Sequence, residues 1–233
     1  MRAYAIVLGG GSGRRMGAGS NKVFLPLRGV PVIVRALAPF TGLCAGAVAV
    51  AAPGEEDLMR QTLRRYGMER FVLKVVCGGA ERQQSVAAGL DALPADAEAV
   101  LVHDGARPLL RQQTVRRVLE SVALHGTGIA AVPLVDTVKR AQADGCVLET
   151  PDRESLYAVQ TPQGFRVAWL RQAHEQARRE GYLATDDAAL LERAGLDVYL
   201  CEGERENLKI TQPLDLTLAE LLLAGRAEKE MGL

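Results

Sequence analysis

Ala3-Tyr-Ala-Ile-Val-Leu8 runs straight into Gly9-Gly-Gly-Ser-Gly-Arg-Arg-Met16, with Lys22 close behind. Six largely apolar residues are too few for a useful helix and read as a buried β-strand. The glycines that follow let the backbone turn sharply and bring its N–H groups close to a ligand. Two arginines and a lysine come next. A nest of N–H donors backed by fixed cations suits a polyphosphate. The plainer alternative is a tight strand-to-helix turn carrying two solvated arginines.

Two familiar phosphate loops fail at this position. Walker A requires Gly-x-x-x-x-Gly-Lys-Ser/Thr, and no window between Gly9 and Lys22 supplies it. The dinucleotide fingerprint Gly-x-Gly-x-x-Gly, counted from Gly9 or Gly11, ends on Arg14 or Met16. A dehydrogenase has little use for Arg14, Arg15 and Lys22 crowded together. Nucleotidyl transfer does, because charge builds on the attacked phosphorus in the transition state.

Working outward, the 233 residues suffice for one well-buried α/β domain, with two full domains less expected. Lys+Arg and Asp+Glu both total 28, so the net charge is zero. That balance argues against a nucleic-acid or membrane-surface partner held by bulk charge, and places function in local clusters. Cys44, Cys77, Cys146 and Cys201 are scattered, with no Cys-x-x-Cys pair, so neither a zinc site nor a disulfide framework is expected. A reducing cytosol, and hence a cytoplasmic location, fits that usage. No segment approaches the roughly 20 apolar residues of a membrane span, and the opening run does not read as a signal peptide.

Beyond the glycines, Pro31 at a first helical position predicts a helix over 31–40. Residues 45–51 read as a small-residue strand. Acids at 55–57 start a second helix, with Leu58, Met59, Leu63 and Tyr66 as its apolar stripe. A strand over 71–76, a helix over 81–93 and a strand over 99–103 follow. Val115, Val118, Leu119 and Val122 then mark a helix over 112–125, ahead of a strand over 128–133. This β-α rhythm with short connections predicts a mostly parallel, Rossmann-like twisted sheet with helices on both faces. Ligands gather at the carboxyl ends of such strands, which places 9–16, 78–85 and 104–107 along one rim.

The rhythm breaks at 135–150. Two short extended runs flank Ala143-Asp-Gly145, a hairpin-closing signal, and predict a protruding β-arm over about 134–155. An isolated hairpin is marginal in water, so the arm should pack on something, and a second subunit is the expected partner. A helix over 166–180 comes next, with Trp169, Leu170 and Ala173 inward. Thr185-Asp-Asp187 should then cap a helix reaching 194. A strand over 197–201 and a last helix over 213–225 complete the chain, which reads as one domain over 1–233.

His103-Asp-Gly-Ala-Arg-Pro108 ends a buried strand, so Asp104 and Arg107 should sit on the rim. A carboxylate facing a polyphosphate loop is a natural anchor for Mg²⁺, which prefers oxygen ligands and substrate phosphates; an ordinary Asx-turn is the alternative. His103 is expected to pack or orient its neighbours. Arg107 could clamp an anion, or form a surface ion pair.

Taken in order, Gly9 to Met16 with Lys22, Gly78-Gly-Ala-Glu-Arg-x-x-Ser85, His103-Asp-Gly-Ala-Arg-Pro108, Pro133-x-x-Asp-Thr-x-Lys139, Thr161-Pro-Gln163, Thr185-Asp186 and Asn207-Leu-Lys-Ile-Thr211 span nearly the whole chain. Each is weak alone, but seven in register are specific. Together they resemble the 2-C-methyl-D-erythritol 4-phosphate cytidylyltransferases of the non-mevalonate isoprenoid pathway. The departures are mild: Gly105 stands where alanine is usual, Gly9-Gly10 where small alanines are common, and Val23 where glutamine is frequent.

The resemblance implies transfer of CMP from CTP to the phosphate of methylerythritol phosphate, with Mg²⁺ and release of pyrophosphate. It implies Arg15, Lys22, Asp104 and Lys209 as the catalytic set, Asp104 also holding the metal. It places Gly9, Gly10, Gly11, Ser12 and Gly13 around the triphosphate, and Gly78, Gly79 and Ser85 at the cytosine. Arg107, Thr137, Arg153, Thr161, Thr185 and Asp186 would meet the sugar-alcohol phosphate, some from a neighbouring subunit of a homodimer interlocked through the arm. A related enzyme for another polyol phosphate, such as ribitol 5-phosphate, is the nearest rival. A catalytically silent nucleotide-binding module is the rival from another class. Taken without the resemblance, Thr185 reads equally as a helix cap, Arg153 as an exposed charge and Thr137 as an ordinary strand residue.

Overall fold

The computed structural model describes residues 1–10 and 21–230, with side chains to residue 226. The chain runs β1 (Ala3–Leu8), a small hairpin β2 (Pro26–Leu27) and β3 (Val30–Pro31), α1 (Val32–Leu37), β4 (Ala47–Ala51), α2 (Glu56–Arg65) and β5 (Val72–Cys77). It continues α3 (Arg82–Asp91), β6 (Ala99–Asp104), α4 (Gln112–His125), β7 (Thr127–Pro133), then the arm strands β8 (Arg140–Ala141) and β9 (Val147–Glu149). The remainder is β10 (Tyr157–Arg166), α5 (Val167–Glu180), α6 (Asp187–Arg193), β11 (Leu200–Glu202) and α7 (Pro213–Glu230).

Seven strands form one sheet in the order β11-β7-β10-β6-β1-β4-β5. The β5, β4, β1 and β6 neighbours pair in parallel, as do β11 and β7. Alternating residues of β1 feed two cores. Ala3, Ala5 and Val7 pack with α1, α2 and α4 side chains, and Tyr4 and Ile6 pack with those of α3, α5 and α6. Helices on both faces account for the fully buried AVAVA of β4 and the buried AVLVHD of β6.

β10 departs from the expected rhythm. No strand is predicted at 157–166, yet this ten-residue strand inserts between β6 and β7 and runs antiparallel to both. Its sequence, YAVQTPQGFR, contains proline and glycine, which mask strand propensity. The proline falls where the register with β7 shifts, between Val159 and Gln163. That insertion carries Thr161 to the end of β6.

Smaller corrections have local causes. Leu58 faces outward at 46% exposure while Met59 and Leu63 are buried, because the inward stripe of α2 is narrower than its apolar residues suggest. Asp186, not Thr185, caps α6, its carboxylate accepting from Ala189 N at 3.0 Å. The last strand starts at Leu200 rather than 197, and Thr137 lies outside any strand. α7 starts where Asp215 Oδ2 accepts from Thr211 N, Thr211 Oγ1 and Gln212 N, and it runs past the expected end at 225.

The arm folds outside the main sheet. β8 and β9 pair antiparallel around Gly145, whose φ of +88° is the left-handed conformation glycine accommodates. Asp144 accepts from Cys146 N at 2.9 Å, Arg140 pairs with Glu149 at 2.7 Å, and Lys139 donates to Thr150 at 2.7 Å.

Candidate active site

The parallel strands end together, and short backbone bonds weld their carboxyl ends into one rim. Gly9 N donates to Val50 O at 2.7 Å, Gly78 N to Ala51 O at 2.8 Å, and Gly105 N to Leu8 O at 2.8 Å. Register sets Leu8 beside Asp104. The segments holding Gly9, Gly78 and Asp104 therefore converge as the β-α rhythm requires.

Asp104 is the centre of this rim. Its carboxylate meets Lys209 Nζ at 2.7 Å and Arg82 Nε at 3.5 Å. Burial alone would raise its pKa, but Lys209 and then Arg82 outweigh burial and hold it well below the usual carboxylate range. The group is therefore ionised throughout the physiological range. Its backbone N–H donates to Thr161 Oγ1 at 3.1 Å, and the same hydroxyl oxygen lies 2.9 Å from His103 Nδ1. Thr161 is buried, so its hydroxyl braces the end of β6 from the antiparallel strand.

His103 is fully buried, and burial pushes its pKa down to about 4 against the opposing pull of Asp104. It is neutral at pH 7 and lies 3.3 Å from Arg107 O. Its role is to pack and orient. Arg107 donates through Nη1 to Asn207 O at 2.6 Å, while its buried Nε has no hydrogen-bond partner among the described residues. Burial lowers its pKa, only partly offset by Asp104. Arg107 thus sets a partly buried guanidinium at the rim, a group suited to an anion.

Lys209 reaches Asp104 because its loop is docked twice. Ile210 N donates to Ala106 O at 2.8 Å, and the fully buried Asn207 donates to Thr161 O at 2.8 Å. Four segments distant in sequence, at 82, 103–107, 161 and 207–210, thus meet around one carboxylate.

Of the glycine-rich segment, Gly9 and Gly10 are described; Gly11, Ser12, Gly13 and Arg15 lie outside the described residues. A Cβ at Gly9 would stand 2.6 Å from Met59 Cε and 3.2 Å from Val50 O, so a larger residue there would have to displace the Met59 side chain. Lys22 opens a short 3₁₀ turn, Lys22–Phe24, whose capping residue Asn21 is bonded to Gly9. Gly78 and Gly79 pass over the start of α3, where a Cβ at Gly79 would meet Gln84 Cβ at 2.4 Å. The buried Ser85 hydroxyl accepts from Gly79 N at 3.1 Å and donates to Glu81 O at 3.2 Å, holding that turn.

Thr137 and Arg153 belong to the arm region instead. Thr137 is exposed, and Arg153 ties the arm's base by donating to Val135 O at 2.8 Å. Thr185 is exposed, whereas Asp186 accepts from Gln163 Nε2 at 2.8 Å and links α6 to β10.

Two contributors escape the sequence reading. Arg82 stands in plain view in Gly78-Gly-Ala-Glu-Arg, yet nothing local says that it reaches Asp104. Asn21 is the other: Nδ2 donates to Gly9 O at 2.6 Å and Glu55 Oε2 at 2.7 Å, and Oδ1 accepts from Val23 N at 3.2 Å. One amide joins the end of β1, the start of α2 and the turn carrying Lys22. Its position just before a lysine after a glycine loop is the available signal.

A mostly parallel sheet with an ionised carboxylate and several cations at its rim defines a Rossmann-like α/β protein of the nucleotidyltransferase type. The family model for IspD, 2-C-methyl-D-erythritol 4-phosphate cytidylyltransferase, matches residues 3–225. The chain is 47% identical to the 2-C-methyl-D-erythritol 4-phosphate cytidylyltransferase of Geobacillus thermodenitrificans over 229 residues, 97% of this chain and 99% of the relative. It is 46% identical to that of Pelotomaculum thermopropionicum, covering 97% and 95% of the two chains. Among solved structures, 4-diphosphocytidyl-2C-methyl-D-erythritol synthase from Anaerococcus prevotii superposes with a TM-score of 0.85 at 28% identity, covering 96% and 98%. The cytidylyltransferase from Thermus thermophilus gives 0.78 at 35%, covering 95% and 98%. The chain belongs to the 2-C-methyl-D-erythritol 4-phosphate cytidylyltransferase family.

Proposed function

We propose that this chain transfers CMP from CTP to the phosphate of 2-C-methyl-D-erythritol 4-phosphate, forming the CDP-alcohol and pyrophosphate. The observation that carries the reading is the rim itself: ionised Asp104 ringed by Lys209, Arg82 and Arg107. An acceptor phosphate oxygen attacks the α-phosphorus of CTP, and the bond to the β-phosphate oxygen breaks. A phosphate monoester has its second pKa near 6 and is largely a dianion at pH 7, so the attack needs no general base. The histidines agree. Burial holds His103 and His174 neutral, each down to about 4. His125 ends α4, at the sheet edge opposite the rim, and stacks on Tyr199.

Catalysis is then positioning and charge. Lys22 and Arg15 neutralise the pentacoordinate α-phosphate, and the backbone of Gly9, Gly10, Gly11, Ser12 and Gly13 surrounds the triphosphate. Gly78, Gly79 and Ser85 form the base-facing turn. Arg107 and Lys209 receive the acceptor phosphate, with Thr161, Thr185 and Asp186 beside it. Thr137 and Arg153 complete a site through the arm of a homodimer, in one nucleotidyltransferase domain over 1–233 that works in the cytoplasm.

Mg²⁺ fits at Asp104 as a single protein ligand. The carboxylate is a hard, ionised oxygen donor, and such ions are held by one or two carboxylates plus substrate phosphates. Among the described residues no group of three or more His, Cys, Asp or Glu could hold a metal without substrate. When bound, the ion supplies charge neutralisation at the phosphate oxygens.

Pyrophosphate release with each of the four nucleotides, against methylerythritol phosphate and ribitol 5-phosphate, with Mg²⁺ or EDTA, tests the reading. Release is expected with CTP, methylerythritol phosphate and Mg²⁺ together. Equal or faster turnover with ribitol 5-phosphate would displace the acceptor assignment.

A further inference from the structure

Arg82 helps keep Asp104 ionised, and the transfer step assigns it no contact with substrate. It is the first residue of α3, and its guanidinium spans two carboxylates unequally. Nη2 lies 2.7 Å from Asp187 Oδ2, whereas Nε lies 3.5 Å from Asp104 Oδ1. Asp187 is 1% exposed and opens α6. Its backbone is pinned to β10, since Asp187 N and Ala188 N donate to Gln163 Oε1 at 3.1 and 3.2 Å. The nearby His174 ring, 4.0 Å from Asp187 Oδ1, is neutral and supplies no competing cation. Burial pushes the pKa of Asp187 up and the Arg82 guanidinium opposes that rise, so the 2.7 Å pairing with Arg82 is what holds a negative charge at this fixed, buried point.

We infer that Asp187 is a positioning residue whose carboxylate draws Arg82 back from Asp104, leaving Asp104 Oδ1 open to the divalent cation that arrives with the nucleotide. The inference rests on Asp104 being the metal ligand. A guanidinium closed fully onto Asp104 would occupy the oxygen that the cation needs, and would set two positive charges against each other in a partly dry site. Asp187 prevents that closure by offering Arg82 a nearer partner. Without its charge, the largely buried Arg82 keeps Asp104 as its counter-ion and moves onto it. Groups that orient a metal ligand without touching the metal commonly alter metal affinity by about 10–100-fold when changed.

Calorimetric titration of CTP in Mg²⁺ and in EDTA tests this without turnover. The ratio of the two Kd values reports how much the metal tightens CTP binding. Asp187→Asn should lower that ratio about tenfold while leaving Kd in EDTA nearly unchanged. Placed on Arg82→Gln, the same substitution should leave the ratio as Arg82→Gln alone sets it. A loss of affinity shared equally by both conditions, or the same fall in ratio without Arg82, would overturn the inference. Should Asp187→Asn prove insoluble, Asp187→Ser takes its place: the same fall in ratio supports the inference, and a wild-type ratio refutes it. The parent reading fails separately. A wild-type ratio of one, or a raised ratio that survives Asp104→Asn, removes the metal from Asp104 and the role of Asp187 with it.

Discussion

Thr161 shows how one hydroxyl can organise a site it does not itself charge. It accepts from Asp104 N and sits against His103, both buried. Thr161→Val keeps the shape but leaves Asp104 N without that acceptor. An unsatisfied buried donor costs about 1–3 kcal/mol, so thermal unfolding should fall accordingly while Thr161→Ser stays close to wild type. Equal melting temperatures for the valine and serine variants would deny the brace. Lys22 is the counterpart on the charged side. Lys22→Ala should depress kcat by about 10²–10³, as loss of one preorganised transition-state donor does, with CTP affinity changing less. Arg15→Ala should behave alike. Wild-type turnover in steady-state kinetics would remove either residue from the chemistry.

Among the elements, β10 does most to assemble the rim, and the arm is the one proposed to reach a second subunit. The arm's hairpin bonds are local, and Val135, Val147 and Leu148 are each about half exposed, which is costly for a solitary hairpin. Replacing residues 138–150 by a short Gly-Ser linker should convert the proposed homodimer to a monomer in sedimentation velocity. It should also raise KM for the acceptor more than for CTP. A dimer unchanged by that deletion would move the subunit contact elsewhere. β10 acts differently. Its register, with Gln163 opposite Val102, continues to set Thr161 against Asp104, so a strand placed between β6 and β7 delivers the brace.

For the molecule as a unit, the two buried histidines make stability depend on pH. Each has a folded-state pKa near 4, below the ordinary 6.5, so the unfolded chain binds their protons more readily. Their stabilising contribution is complete above pH 6.5 and disappears as pH falls from there through about 4, amounting to roughly 3 kcal/mol for each. Melting temperature measured from pH 7.5 to 4 should therefore fall across that window. His174→Gln should flatten the fall relative to its own value at pH 7.5. A wild-type profile level between pH 6.5 and 4.5 would contradict the burial of both rings as neutral groups.

Local signals in the chain suffice for the parallel strands and the rim, but not for β10. Hydrophobic runs of period two and 3.6, glycines at strand ends and short connections can each be read in place, and a β-α rhythm leaves few ways to wind them. Asp104 at the end of β6 and Lys22 after the glycines follow from that winding. Which side chains share a carboxylate is settled only once the chain is folded. Arg82, Asp187, Thr161 and Lys209 converge on Asp104 from distant parts of the sequence, through β10's antiparallel insertion and a loop docked on Ala106. Such pairings depend on the third dimension, because an arginine's periodicity says which face it occupies but not which buried charge awaits it there.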